Sequence, residues 1–404
     1  MKGIFDMKEI IFEQAKSLQP DLLAIRRDLH RHPETGFDLT YTKEKVRNEL
    51  LAMGYEPVDC GKAGLVVCVG GKKPGKTFLL RADMDALPLQ EEADVDYRSE
   101  TPGKMHGCGH DMHTAMLLGA AKLLKAHEDT INGTIKLMFQ PAEEIFQGSL
   151  DMIEHGVLEN PHVDAALMIH VMAGMPMPSG MFLISSGGIS AASCEQYHIT
   201  VTGKGGHGST PHLAIDPITA AAQIHIAMQE INSRELDPNA YGVFTTCKFQ
   251  AGNASNIIPN TAEMWGTIRT IDPSEKIGSQ IKTRMTEIAK GIGMAMRCDV
   301  DIEFFDYCPC LTIDDSLSKD TANYMTELLG QSAMVIPPSA GGGSEDFAFI
   351  SHKVPAISMY MAAGNSAEGY HYNIHNPKLT LDDSILWKGS AAHAYVAMRW
   401  LEEH

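Results

Sequence analysis

Thr114-Ala-Met-Leu-Leu-Gly-Ala-Ala-Lys-Leu-Leu-Lys-Ala126, followed by Thr134-Ile-Lys-Leu-Met-Phe139, decides the fold class. The first segment is apolar nearly all round, the pattern of a buried helix. The second is a short apolar run closed by Pro141, the pattern of a buried strand. Upstream, Asp21–Leu29 and Lys43–Met53 read as amphipathic helices, and Leu65–Val69 and Thr77–Ala82 as buried strands. This alternation predicts an α/β fold with a mixed, mainly parallel sheet flanked by helices on both faces. Ligands gather beyond the carboxyl ends of such strands. Polar residues stand at three of those ends: Asp83 and Asp85, Glu143 and Glu144, and His170 after Ala165-Ala-Leu-Met-Ile169.

Near Ile184-Ser-Ser-Gly-Gly188 the texture changes. Glu195–Val201 alternates polar and apolar residues like a half-exposed strand. Asp216-Pro217 opens a helix to about Ile231, with Asp as N-cap and Pro in the first turn. Strands Gly242–Gln250 and Ala262–Thr270 follow. Asp272-Pro273 is expected to cap a second helix to about Ile292, and Cys298–Phe305 forms a last strand. Strand–helix–strand–strand–helix–strand is the ferredoxin-like α+β order. It is placed at residues 186–306, inserted into a larger domain of residues 1–185 and 307–404 that closes with a helical segment over Leu381–Leu401.

The length of 404 residues itself favours two domains over one core. With 33 basic and 51 acidic side chains the net charge is −18, which repels phosphate backbones and anionic lipid, so no nucleic-acid or membrane partner is expected. An anionic substrate then needs a local positive patch, and bound cations would supply one. The N-terminus has no clean apolar signal region, and no apolar run is long enough to span a bilayer. Eight cysteines without disulfide spacing fit reduced thiols in a cytoplasm. Most of the 24 methionines read as core filler.

The chemistry concentrates in His106-Gly-Cys-Gly-His-Asp111. Glycines flanking Cys108 let the loop bring its thiol and His110 together, and thiolate, imidazole and carboxylate are ligands for zinc-like ions. A thiolate lying between two ions would bridge them. Glu143-Glu144, leaving a strand, offers one carboxylate for metal and one for a proton. Taken alone, His170 reads as a core histidine and His375 as a loop residue. Asp83 and Asp85 read either as turn formers before Pro88 or as residues that orient a ligating imidazole.

Leu80-Arg-Ala-Asp-Met-Asp-Ala-Leu-Pro88, His106–Asp111, Pro141-Ala-Glu-Glu144, Gly203-Lys-Gly-Gly-His-Gly208 and Asn256-Ile-Ile-Pro259 together resemble the M20 metallopeptidase family. The nearest subgroup is that of amidohydrolases acting on N-acyl amino acids, such as hippurate hydrolases, aminoacylases and auxin-conjugate hydrolases. The match runs in order from about Leu22 to the C-terminus. The resemblance implies two divalent ions per subunit, zinc first with manganese, cobalt or nickel as alternatives, held by Cys108, His110, Glu144, His170 and His375. It makes Glu143 the general base, Asp85 a supporting residue behind the ligands, and the inserted domain a lid and homodimerisation unit. His207 matches a histidine that reaches the reacting carbonyl. Asn256 and Arg269 fall where relatives hold the substrate carboxylate, and Gly343, within Gly341–Asp346, matches a pocket-lining loop. Two departures stand out. Asp83 occupies a position where many relatives have a ligating histidine, and Val171-Met172 follows His170 where relatives often carry Trp.

The expected activity is hydrolysis of small N-acyl-L-amino acids to a carboxylate and a free amino acid. Alternatives are a dipeptidase or carboxypeptidase on the same scaffold, or a binding protein with a vestigial site.

Overall fold

A computed structural model describes residues 2–337 and 343–404, which divide into two compact units: Met1–Ser190, Thr312–Ser339 and Asp346–His404 form the larger, Ala191–Leu311 with Ala340–Glu345 the smaller. The breaks fall at 190/191 and 311/312 rather than at 185/186 and 306/307. Side-chain and strand pairing explain both shifts. The Ser190 hydroxyl lies within hydrogen-bonding distance of Ser185, Ser358 and Tyr360, which keeps 186–190 with the larger unit. Cys308 pairs with Cys194, which carries the smaller unit's sheet past 306.

The larger unit is built on eight strands in the order Val58–Cys60, Gly64–Gly70, Thr134–Gln140, Thr77–Asp83, Ala165–Met172, Ala356–Ala362, Phe182–Ser185 and Ala333–Ile336. Thr134–Gln140, Thr77–Asp83, Ala165–Met172 and Ala356–Ala362 are mutually parallel, as are Phe182–Ser185 and Ala333–Ile336. The remaining pairings are antiparallel. The sheet is therefore mixed and mainly parallel, as the alternation predicts. All seven residues of Thr77–Asp83 are buried, the expected state of a parallel strand covered by helices. Helices His110–Ala126 and Leu386–Glu403 pack on each other and both touch that strand. No helix among the described residues is long and apolar enough to cross a membrane.

Helix His110–Ala126 begins four residues before the expected Thr114. Gly109 starts it from φ +85°, and a Cβ there would lie 2.4 Å from Val171 Cγ2, so only glycine fits this turn. The consequence is functional: His110 and His113 belong to the helix and face the strand ends.

The smaller unit has four antiparallel strands in the order Gly242–Ala251, Thr261–Thr270, Cys194–Thr202 and Asp299–Cys308, with helices Pro217–Glu230 and Lys276–Met296. This is the ferredoxin-like order, with a core including Tyr197, Ile199, Ile224, Met264 and Met285. Asp216 caps the first helix by accepting from the Ile218 N–H. The second helix starts at Lys276, later than expected. Asp272 instead accepts from the N–H groups of Ser274 and Ile277, so its turn precedes the helix.

Candidate metal centre

The parallel strands Thr134–Gln140, Thr77–Asp83 and Ala165–Met172 end side by side in the larger unit, and the loops beyond them carry the polar residues the sequence singles out. Thr77–Asp83 pairs with Ala165–Met172 only as far as Arg81 opposite Met168. Beyond that rung the strands part, and the start of helix His110–Ala126 supplies histidines near the opening. The rings of His113 and His170 lie 4.7 Å apart, those of His110 and His170 6.2 Å.

The structure brings Cys108, His110, Glu144, His170 and His375 together. The Cys108 thiol lies 3.5 Å from His170 Nε2 and 3.3 Å from His375 Nε2. His375 Nε2 is 3.6 Å from Glu144 Oε2, and His110 Nε2 is 3.8 Å from Glu144 Oε1. Two donor groups share the thiol: Cys108, His110 and His170, and Cys108, Glu144 and His375, each with ligand atoms within 4.8 Å of one another. His375 comes from a distant loop at φ +65°. Its N–H donates to the Gly107 carbonyl at 2.7 Å, which ties it to the cysteine loop.

Several donors already point inward with a lone pair. His110 Nδ1 donates to the Asp85 carbonyl oxygen at 2.8 Å, which leaves Nε2 unprotonated in the neutral ring. His170 Nδ1 donates to the Val171 carbonyl at 2.7 Å, with the same result. Among the described residues, His110 Nε2 and Glu144 Oε1 are buried and have no hydrogen-bond partner, which is costly unless something else occupies them. Donors held by one tetrahedral zinc-like ion stand about 3.3–3.8 Å apart. The observed separations of 3.3–3.8 Å fit that arrangement. Without a cation the site is electrostatically uncomfortable. Burial, with repulsion from Asp85 and Asp83, pushes the Glu144 carboxyl up to about 7, and burial raises the Cys108 thiol. A divalent cation reverses both effects.

Asp85 has both carboxylate oxygens engaged by backbone N–H groups. Its carboxylate accepts the N–H of Glu143 at 2.9 Å and of Glu144 at 3.3 Å, while its carbonyl holds His110. One residue thus aims the His110 imidazole and both glutamates. Glu143 Oε2 lies 4.0 Å from His110 Nε2, beside the donor cluster. Ala142, just before it, sits at φ +54°, a conformation that costs free energy in a residue with a Cβ and recurs at functional sites.

Asp83 is spent elsewhere: Oδ1 accepts from His113 Nδ1 at 2.6 Å and Oδ2 from Arg81 at 2.6 Å. Asp111, grouped with the loop in the sequence, also turns away. It pairs with Arg26 Nε at 2.8 Å and His30 Nδ1 at 2.8 Å in a buried cluster. Sequence reasoning passed over His113, although its three-residue spacing from His110 puts both on one helix face. It also missed Arg81, whose other contacts include Gln140 and Asp346, the latter 265 positions away.

The other expected residues lie in the smaller unit. His207 is exposed, and its Nδ1 accepts from the N–H and hydroxyl of Ser209, so the neutral ring carries its proton on Nε2. His207 pairs with Ile257, and the Asn256 carbonyl accepts the Gly208 N–H at 2.8 Å, so the two are neighbours. Arg269 donates to the Ser344 hydroxyl at 2.7 Å, next to the exposed Gly343. Gly341 and Gly342 lie outside the described residues.

Residues 79–399 match peptidase family M20/M25/M40. The chain is 37% identical to thermostable carboxypeptidase 2 of Saccharolobus solfataricus over 98% of this chain and 99% of that protein. It is 34% identical to an N-acetylcysteine deacetylase of Bacillus subtilis over 96% of this chain and 98% of that protein. A crystal structure from Bacillus subtilis, described as a dinuclear metal-binding peptidase of the M20 family, superposes with a TM-score of 0.78 and 31% identity over 96% of this chain and 99% of its own. The chain is a member of peptidase family M20/M25/M40 and a hydrolase of amide bonds.

Proposed function

We propose that this enzyme cleaves N-acyl-L-amino acids to a carboxylate and a free amino acid, with two divalent ions held by Cys108, His110, Glu144, His170 and His375. The observation that carries the reading is the Cys108 thiol shared by two donor groups, with the Glu143 carboxylate alongside them. The chemistry that bound cations supply is polarisation of the amide carbonyl and a water of lowered pKa. Glu143 takes the proton from the attacking water at its carboxylate and delivers it to the amide nitrogen as the C–N bond breaks. Asp85 keeps that carboxylate on station through the Glu143 N–H. His207 donates from Nε2 to the oxyanion, and Asn256 and Arg269 hold the substrate's carboxylate.

The deacetylase relative supports this acyl-amino-acid reading. The carboxypeptidase relative favours a second one, since a peptide's last residue is also an N-acylated amino acid. The proposal further includes zinc as the working ion, a cytoplasmic location and a homodimer formed through the smaller unit. Metal-depleted enzyme, reloaded with zinc, manganese, cobalt or nickel, should be assayed in parallel on hippurate, N-acetyl amino acids, dipeptides and longer peptides. Release of amine from the first two classes is expected to exceed release from peptides; the reverse order selects the carboxypeptidase. Glu143→Gln should keep both ions and lose activity by about 10²–10⁴-fold, and a fully active variant removes Glu143 from its role.

A further inference from the structure

Strand Ala165–Met172 loses its neighbour Thr77–Asp83 beyond Met168 while staying paired with Ala356–Ala362 through Met172, so the peptide groups on the vacated edge need new partners. The Val171 N–H finds one in a side chain, donating to His113 Nε2 at 2.9 Å. The other face of the same residue matters too, because the Val171 carbonyl accepts His170 Nδ1–H at 2.7 Å. Residue 171 is thus held from both sides, by a candidate ligand at its carbonyl and by His113 at its N–H. His113 is in turn fixed. Its Nε2 accepts, so its proton lies on Nδ1, which donates to Asp83 Oδ1 at 2.6 Å. Asp83 is pinned by Arg81 at Oδ2 and by the Thr114 hydroxyl at its carbonyl.

His113 is grouped with Asp83 and His110 as a possible ion-binding triad. The hydrogen bonds argue against ligation, since both ring nitrogens and both Asp83 oxygens are already engaged. We infer that His113 is a positioning residue for the metal centre, acting through residue 171 to set the direction in which His170 presents Nε2. The inference rests on the ligand set proposed above. Its physical basis is that a buried N–H without an acceptor is costly, so residue 171 relaxes when the acceptor is lost and takes the His170 hydrogen bond with it. Residues that support a ligand in this way typically change metal affinity by about 10–100-fold.

The test compares two polar variants of similar size. In His113→Gln the amide oxygen reaches roughly where Nε2 stands, so the Val171 N–H keeps its acceptor. In His113→Asn the side chain is one carbon shorter and the N–H is left without one. Metal-free wild type and both variants would be titrated with Co²⁺, following stoichiometry, affinity and the visible ligand-field absorption, with thermal melting as a check on folding. The inference expects two equivalents and a wild-type spectrum for wild type and His113→Gln. For His113→Asn it expects an altered spectrum and one equivalent weakened by about 10–100-fold. His113→Asn binding two equivalents with wild-type affinity and spectrum overturns it. So does a folded His113→Gln as impaired as His113→Asn, because the acceptor at Nε2 is then irrelevant. If His113→Asn does not fold, a folded His113→Gln that fails to bind two equivalents with the wild-type spectrum overturns it by itself. Wild type that takes up no Co²⁺ fails the metal-centre reading itself, and this inference falls with it.

Discussion

Replacing Asp85 by Asn tests how the glutamate pair is aimed. The substitution keeps the volume and leaves the main-chain carbonyl that holds His110 in place. It removes half of the acceptor capacity that Glu143 and Glu144 use, at 2.9 and 3.3 Å. An amide oxygen turned to the Glu143 N–H leaves the Glu144 N–H facing an NH₂ group. One charge-assisted bond of about 1.5–3 kcal/mol is lost, and the other falls to a neutral bond worth about 1 kcal/mol less. The sum is about 2.5–4 kcal/mol. Spent entirely on misplacing Glu143, that is about a 10²–10³-fold fall in kcat at 1.36 kcal/mol per decade. Steady-state kinetics on an N-acetyl amino acid, with metal content measured on the same preparation, is the assay. The expected result is both ions retained and kcat reduced. Activity within about threefold of wild type at full metal content would refute the claim that these two hydrogen bonds set the geometry.

Metal affinity should depend on pH with a definite sign. In the metal-free protein the Glu144 carboxyl sits at about 7, raised first by burial, and the Cys108 thiol is raised by burial as well. Ions compete with those protons, so affinity is expected to fall as pH drops through about 7. Calorimetry in buffers of different ionisation enthalpy should register proton release on binding, and a flat affinity profile from about pH 5.5 to 8 contradicts it. Folding of the metal-free chain responds in the opposite sense. An acid raised from 4.5 to about 7 favours the folded state when protonated, so that contribution is lost as pH rises through this interval. Gly109→Ala should destabilise the larger unit by about 2–4 kcal/mol, combining the left-handed backbone cost with overpacking. The added methyl would meet Val171 at 2.4 Å and Leu381 at 3.0 Å. Thermal melting should show a drop of about 5–15 °C, and an unchanged midpoint would mean the turn is slack.

Much of the fold was legible because burial writes itself into local patterns. Thr77–Ala82, Thr134–Phe139 and Ala165–Ile169 were readable as strands, and their carboxyl ends do lie together. The turn at Asp272 misled because Asp-Pro starts many helices, yet here its carboxylate was taken by the N–H groups of Ser274 and Ile277. The first domain break was displaced because Ser190 is held by the hydroxyls of Ser358 and Tyr360, 168 and 170 positions away.

By itself the sequence determined which chemical groups stand at which strand ends, because hydrophobic periodicity and a glycine-flanked Cys-x-His loop are local properties. It also carried the family's motifs in order. Only the tertiary structure decided how those groups are spent. Asp111 and Asp83 have the right chemistry for a cation, yet Arg26, His30, Arg81 and His113 consume their oxygens. His375 is a loop residue until its N–H meets the Gly107 carbonyl. A carboxylate or imidazole has few lone pairs. Whether one is left over for a metal depends on partners remote in the chain, such as His30, which lies 81 positions from the Asp111 carboxylate it occupies.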